Sequence, residues 1–369
     1  MIPHSLEGWA KTAAGRLYRS QTGALSRNYR TGMGEEGTEF VSIIVPVRNE
    51  EKHFANCLEA IVEQDYPSHR FEVLVVDGLS TDRTPEIAAQ FRDRFSNIRL
   101  LKNPKGTSST AMNIAIRNAK GEVIVRVDGH SYIERDYIAQ CVLHLRATGA
   151  QNVGGPLQAR AEGFVGRAIA FAITFPFGQG SPSRYAKEER YIDSVFLGAF
   201  PREIFDQVGL YDERLVHNQD YELNYRIRAA GGKILCTPAI RSRYYVRENL
   251  LDLAKQYFRY GFWKWRVIRK HPRSVMARHL VAPLFVSALL TSGLLAPLVY
   301  GFRHLFLLIL LSYLAASFMA SLYLASRKGW RYLPILPLVF ATIHLCWGLG
   351  FIWSLIASPL RRLEEQSEK

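Results

Sequence analysis

Cysteine is scarce and never paired in this sequence: Cys57, Cys141, Cys236 and Cys346 stand alone, at spacings that suit neither a disulfide framework nor a thiolate metal site. Reduced, mostly buried thiols are therefore expected. The amino-terminal residues lack an apolar run that could act as a secretory signal, and no internal repeat is present. The most informative absence is of charge. Val281 to Gly301, Leu305 to Ser326 and Leu333 to Leu360 contain no Asp, Glu, Lys or Arg. Each run meets the roughly 20 apolar residues that a helix needs to cross a bilayer. Three spans is the plain reading. Pro334, Pro337, His344, Gly348 and Gly350 leave a broken or re-entrant third segment as the alternative.

Acidic residues are also missing where basic ones crowd. Between Arg241 and His279 only Glu248 and Asp252 offset a long series of Arg and Lys, interleaved with Tyr257, Phe258, Tyr260, Phe262, Trp263 and Trp265. A basic, aromatic-rich flank just before a span belongs at anionic cytoplasmic headgroups. Phe258, Phe262 and Trp265 recur at i, i+4 and i+7, so a helix would lay one aromatic face into the interface. Nucleic acid is the competing partner for such a stripe, and its adjacency to the spans argues against it. The positive-inside rule puts this flank and Arg327, Lys328 and Arg331 in the cytoplasm. If the third segment spans, the tail, residues 361–369, lies outside. Much of the net charge of +14 thus has a membrane explanation.

The first two thirds of the 369 residues alternate in type. Strand-like runs at Val41 to Val47, Phe71 to Val76, Ile98 to Leu101 and Glu122 to Val127 alternate with helical stretches at Glu51 to Gln64, Thr84 to Arg94 and Thr107 to Asn118. Such alternation predicts an α/β, doubly wound, mostly parallel sheet. Three of the strands end in polar strings, VRNE, VDGLSTDRT and VDGH, which places carboxylates at the carboxyl edge of the sheet, where open α/β sheets bind ligands. Asp77 ends a β-branched strand and can accept hydrogen bonds from a base or ribose. Ser80, Thr81 and Asp82 cap the next helix, and Asp82 has a ligand role as its alternative. Asn49 and Glu50 lie at the matching mouth after Pro46. Asp128 and His130, two apart at a strand end, can face one divalent cation bridging phosphate oxygens. In NQDYELNYRIRAAGG, Leu223, Ile227 and Ala230 recur at helical spacing, with Gly231 and Gly232 as the stop. Acids in a first helical turn commonly complement the helix dipole. A carboxylate is also the usual general base in sugar chemistry, and Asp220 is the candidate.

Taken in order, VSIIVPVRNE, VVDGLSTDRT, GTSSTAMN (Gly106 to Asn113), VDGH and QDYELNYR resemble the family 2 inverting glycosyltransferases of the GT-A fold, over about residues 40–260. The resemblance implies that Pro46, Asn49, Glu50, Asp77, Ser80, Asp82, Gly106, Asn113 and Asp128 line a nucleotide pocket. It implies that Asp128 and His130 hold Mn²⁺ or Mg²⁺ on the donor diphosphate, and that Asp220 is the catalytic base. The Asp-x-His string and the apolar carboxyl-terminal third are most similar to succinoglycan-type membrane glycosyltransferases, which extend a sugar on a lipid-diphosphate carrier.

Three features bear on specificity. His130 stands where the family has a second Asp, Gln219 stands where an acid precedes the base, and Gln256, Arg259 and Tyr260 resemble the Gln-x-x-Arg-Trp string of processive synthases, with Tyr for Trp. Gln219, Gln256 and Arg259 are thus expected on the diphosphate or acceptor side, Arg259 through bidentate hydrogen bonds. Three spans are few for a polymer channel, so single-sugar addition is expected. The resulting expectation is a bacterial inner-membrane enzyme with a lead-in (1–40), a cytoplasmic GT-A domain (41–247), interfacial helices (248–280), transmembrane helices (281–360) and a tail (361–369). Its partners would be a nucleotide sugar, by resemblance UDP-linked, a lipid-linked sugar acceptor and anionic lipids. A polyprenyl-phosphate hexose synthase and an inactive, membrane-tethered sugar-nucleotide scaffold are the alternatives.

Overall fold

The computed structural model describes residues 39–367, with side chains through 357, so the lead-in, save its last two residues, and the tail's side chains lie outside the described residues. Strand β1 (Val41–Val47) leads to α1 (Phe54–Val62), β2 (Phe71–Asp77) to α2 (Thr84–Arg94) and β3 (Ile98–Lys102) to α3 (Ser108–Asn118), before β4 (Val123–Arg126). These strands pair in parallel, with Val47 level with Asp77 in the register. β1 and β2 are buried along nearly their whole length because helices cover both faces, which is why they read as unbroken apolar runs. Pro46 sits beyond the last β4 pairing at Ile44, where its missing N–H interrupts no rung on that side.

The chain continues through β5 (Ser131–Ile133), α4 (Tyr137–Thr148), β6 (Asn152–Gly155), β7 (Gln158–Arg160), α5 (Phe164–Ile173), α6 (Pro176–Gln179), β8 (Arg190–Tyr191) and β9 (Phe196–Pro201). Then come α7 (Ile204–Val208), α8 (Gln219–Ala229), β10 (Ile234–Cys236) and β11 (Ser242–Tyr245). The main sheet has eight strands in the order β3-β2-β1-β4-β9-β6-β10-β8. β9 runs antiparallel between β4 and β6, and β8 antiparallel on β10, so the half beyond β4 is mixed. A small sheet, β5-β11-β7, stands beside it. Ile44, Leu74 and Val76 bury against Met112 and Ala115 of α3 and share their core with Leu223 and Ile227 of α8. Cys57, Cys141 and Cys236 are free and buried, and Cys346 is free and half-buried.

Helix α9 (Leu250–Lys270) carries the basic, aromatic flank, and α10 (Ala277–Leu295), α11 (Tyr300–Lys328) and α12 (Leu336–Ser367) follow. Stretches of α10, α11 and α12 are long and apolar enough to cross a membrane. α12 is continuous through His344, Gly348 and Gly350, with Pro334 before it and Pro337 in its first turn. α10 and α11 form an antiparallel hairpin, Phe285 stacking on Tyr313 with ring centroids 4.5 Å apart and Gly293 facing Phe306. α9 and α12 pack side by side. A Cβ at Gly261 would collide with the Trp347 carbonyl and one at Gly350 with that of Phe258, so only glycine permits this approach, and the pairing order makes the helices antiparallel. The aromatic row on α9 is consequently not a free face. Phe258, Phe262 and Trp265 are half-buried, and Trp265 packs against Phe351 at 5.5 Å.

Candidate active site

One cavity of about 1470 Å³ opens at the carboxyl edge of the sheet and reaches α9 and the apolar helices. Its first wall comes from the β1 and β2 ends: Pro46, Arg48, Glu50, Gly78 and Gly106. Gly106 has φ +67°, and its carbonyl accepts a 3.2 Å bond from Arg48 Nη1. The two strand-end loops are clipped together by residues that do not line the cavity. Asn49, at φ +55°, donates its N–H to Ser80 Oγ at 2.9 Å and accepts from Thr81 N at 2.8 Å through Oδ1. Asp82 accepts from Glu51 N and Thr84 N, the second bond closing the start of α2. Asp77 accepts from Ser80 N at 3.2 Å, while its other oxygen, Oδ1, is buried without a protein partner.

The centre is organised by an arginine that sequence reasoning missed. Arg126, buried on β4, donates through Nε to Asp128 Oδ1 at 2.8 Å and through Nη1 to Asp220. A single guanidinium thus ties the strand-end carboxylate to the carboxylate on α8. Burial works against its charge, but Asp128 and Asp220 hold it protonated well above the ordinary arginine range. Half-buried Asp220 shows the opposite balance. Enclosure raises its carboxyl above the usual range, Arg126 pulls it down, and the nearby charge of Asp128 raises it further. A carboxylate with raised basicity, open to a cavity, is suited to taking a proton from a hydroxyl.

His130 sits across from this pair. Its Nδ1 lies 2.9 Å from Glu50 Oε1, and its ring meets Tyr244 edge-on at 5.4 Å. Burial disfavours the imidazolium, and the Glu50 carboxylate outweighs it, so the ring titrates above its ordinary value. A carboxylate that pins one ring nitrogen leaves the other for a ligand, the arrangement that orients metal-bound histidines. Asp128 adds a hard oxygen beside it. These donors fit a cation shared with a bound diphosphate, and among the described residues no cluster of three or more His, Cys, Asp or Glu side chains would hold an ion unaided.

The opposite wall joins α8 to α9. Asn218, at φ +61° before α8, donates to the Tyr260 carbonyl at 3.0 Å, and Gln256 Nε2 reaches the hydroxyls of Tyr260 at 3.1 Å and Tyr244 at 3.4 Å. The chain of contacts from His130 through Tyr244 and Gln256 to Tyr260 and Asn218 therefore links the end of β4 to the start of the Asp220 helix. Glu222, fully buried two residues on, is held by Arg226, Lys270 and His271, which locks α8 to the end of α9.

Of the residues singled out in the sequence, Pro46, Glu50, Gly106, Asp128, His130, Gln219, Asp220, Gln256 and Arg259 line this cavity. Asn49, Asp77, Ser80 and Asp82 form the clip behind it. Asn113 is a pin: its amide donates to the Tyr211 carbonyl and Glu213 and accepts from Tyr211 N, which fixes the loop before α8 and leaves the group occupied within the protein. Arg126 had one signal in the sequence, a charged residue inside the otherwise apolar strand VIVR. Only the fold shows that it meets Asp220.

The profile of Glycosyl transferase family 2 matches residues 42–209, from β1 to the end of α7. The chain is 31% identical over 239 residues, 63% of its own length and 74% of the relative's, to a dolichyl N-acetyl-alpha-D-glucosaminyl phosphate 3-beta-D-2,3-diacetamido-2,3-dideoxy-beta-D-glucuronosyltransferase of Methanococcus voltae. It is 30% identical over 327 residues, 87% of its length and 96% of the relative's, to the succinoglycan biosynthesis protein ExoA of Rhizobium meliloti (strain 1021). A mannosyltransferase from Pyrobaculum calidifontis, solved with GDP-Man and Mn²⁺, superposes with a TM-score of 0.57 at 19% identity, covering 95% of this chain and 99% of that one, a likeness of fold. The motifs at the sheet's carboxyl edge, the GT-A-like architecture beneath them and identity to ExoA along nearly its whole length lead to one conclusion: the chain belongs to glycosyltransferase family 2.

Proposed function

We propose that this family 2 glycosyltransferase is a membrane-bound, inverting enzyme that moves a sugar from a nucleotide-diphosphate sugar to a lipid-linked glycan in cell-surface polysaccharide synthesis. The observation that carries the reading is the Arg126 bridge between Asp128 and Asp220, inside a cavity that extends from the sheet edge to the apolar helices. The nucleotide would lie against Pro46, Glu50 and Gly106, with its diphosphate toward Asp128 and His130. Mn²⁺ or Mg²⁺ held there would neutralise the departing diphosphate. Asp220, placed by α8, would take the proton of the acceptor hydroxyl as that oxygen attacks the anomeric carbon from the face opposite the nucleotide, which inverts the centre. Gln219 and Gln256 would orient the acceptor.

The membrane reading rests on charge. Lys328 lies over Phe171 of α5 at 5.5 Å, and Tyr332 stacks on Phe164 at 4.9 Å, so the basic α11–α12 junction meets the catalytic domain, as the basic flank of α9 does. Both cationic regions on one side support a cytoplasmic catalytic domain. The Methanococcus relative acts, by its name, on a dolichyl-linked sugar phosphate, and the Rhizobium one serves polysaccharide synthesis. UDP-sugars are the first donors to try. The test incubates the full chain, in detergent, with a panel of nucleotide sugars and either cation, and follows release of nucleoside diphosphate with and without lipid-linked glycans. Release that requires the glycan is expected. No release with any pairing favours a binding scaffold. Release with bare polyprenyl phosphate, unaffected by Asp220→Asn, favours a hexose synthase, because a phosphate acceptor is already ionised.

A further inference from the structure

The cavity is larger than one donor needs. Small-molecule pockets enclose about 300–1,000 Å³, and this one exceeds that range while keeping a single continuous lining. Its far end is built by the apolar hairpin: Val281 and Phe285 of α10, and Leu308, Ile309, Ser312 and Tyr313 of α11. Val281 and Leu308 line the cavity and are 65% and 64% exposed, so the hairpin leaves apolar side chains uncovered at this end, where lipid chains would surround it. His344 of α12 joins this end to the catalytic domain, one ring nitrogen 3.1 Å from the Tyr313 hydroxyl and the other 2.8 Å from the Phe177 carbonyl after α5.

Where this apolar wing meets the catalytic part, the lining turns cationic. Arg184, Arg247 and Arg259 all line the cavity, and none forms an ion pair with a carboxylate among the described residues. They converge on one spot. Arg259 and Arg247 both add to the burial that lowers the His217 pKa, and Arg184 and Arg247 both act on the Tyr260 hydroxyl, whose ring lies 6.1 Å from that of His217. Three like charges gathered without a counter-ion, beside an apolar wing, complement a ligand with an anionic head and a long hydrocarbon tail.

We propose that this wing is the site of the acceptor's lipid: the phosphate groups of a polyprenyl-type carrier lie against Arg184, Arg247 and Arg259, and its hydrocarbon chain runs between α10 and α11, entering sideways from the bilayer. The proposal rests on the acceptor reading above and locates its anchor. Because His217 and Asn218 lead directly into α8, a carrier held here presents its glycan to Asp220 while the chain stays in lipid.

The test is photolabelling of the full chain in detergent with a diazirine-bearing farnesyl diphosphate and with the matching diazirine-bearing farnesol. The diphosphate probe is expected to label peptides around Phe285 and Ile309, with competition by farnesyl diphosphate and none by farnesol. Arg184→Gln should lower that labelling by about tenfold or more with UDP and GDP affinities unchanged. Ile309→Trp should block labelling by filling the slot with the arginines intact. Equal labelling by both probes over the whole apolar surface would overturn the site. So would loss of nucleotide affinity, rather than of labelling, in Arg184→Gln, which would assign this cationic cluster to the donor. Specific labelling in a protein that binds no nucleotide would uphold the lipid site and overturn the donor reading alone.

Discussion

The two ends of the cavity are made in different ways. The sheet end, where we place the donor, is a set of loops that follow parallel strands, so its residues are placed by short-range geometry: each strand ends at the edge and its next few residues face the same mouth. The helical end, where we place the acceptor, is assembled largely from α8, α9, α10, α11 and α12, whose contacts join residues far apart in the chain, and those helices lie beyond the stretch matched by the family profile. Arg126 belongs to both. It stands on a donor-side strand and grips the carboxylate of the acceptor-side helix.

The sharpest way to separate the ends is to remove one function from each. Asp220→Asn should keep nucleotide-diphosphate affinity and lower turnover on a sugar acceptor by about 10²-fold or more, the ordinary contribution of a general base. Turnover that survives would detach Asp220 from the chemistry and leave it as a partner for Arg126. On the other side, Asp128→Ala should weaken UDP binding by about tenfold in Mn²⁺ and leave uridine binding nearly unchanged, since the cation meets only phosphates. His130→Asp should keep activity and move the preference toward Mg²⁺, which favours oxygen donors. Calorimetric titrations with each cation and with chelator read both effects, and equal affinity in Mn²⁺ and chelator for the unsubstituted protein would remove the metal from the site.

Legibility in the sequence follows the same division. β1, β2 and α2 were readable to within a residue or so because both faces of the parallel sheet are buried and Thr84-Pro85 starts a helix. The mixed half was not readable. β9 reaches its place between β4 and β6 only by antiparallel pairing across long separations, and FLGAFP carries no alternation that announces it. At the site, carboxylates at strand ends were visible, but partners were not: Arg126 with Asp220, His130 with Glu50, and Asn113 with Tyr211 are all pairs about 80 or more residues apart. The aromatic row on α9 is visible in the sequence but its surroundings are not, since Gly261 is unremarkable there and Gly350 reads as a sign of a broken segment, whereas both are the points where two continuous helices touch.

That close packing gives a third test, directed at the acceptor end alone. A leucine at Gly261 would drive a side chain into the Trp347 backbone. Overpacking of this kind typically costs about 1–3 kcal/mol. Gly261→Leu should lower the thermal midpoint and turnover on lipid-linked acceptors while the folded protein binds UDP as before. A matching loss of UDP affinity would mean that α9 and α12 support the donor end as well, and the two ends would no longer be separable.

The last test concerns a charge buried between the two ends. Lys264 on α9 is 3% exposed, its Nζ 3.3 Å from the centre of the Tyr221 ring. Burial lowers its pKa from 10.5 to about 7, with Asp193 opposing and Arg278 assisting. The unfolded chain therefore holds one more proton than the folded protein between about pH 7 and the ordinary lysine value, so this group makes stability rise with pH across that window, by at most about 1.4 kcal/mol per unit. Below pH 7 both states are protonated and the slope vanishes. Lys264→Met keeps the stem packed and removes the titration. Its thermal midpoint should exceed that of the unsubstituted protein by most at and below pH 7, and the two should converge as the pH approaches the ordinary lysine value. Parallel curves over that range would show that Lys264 stays charged against the Tyr221 ring, with solvent reaching it through the cavity.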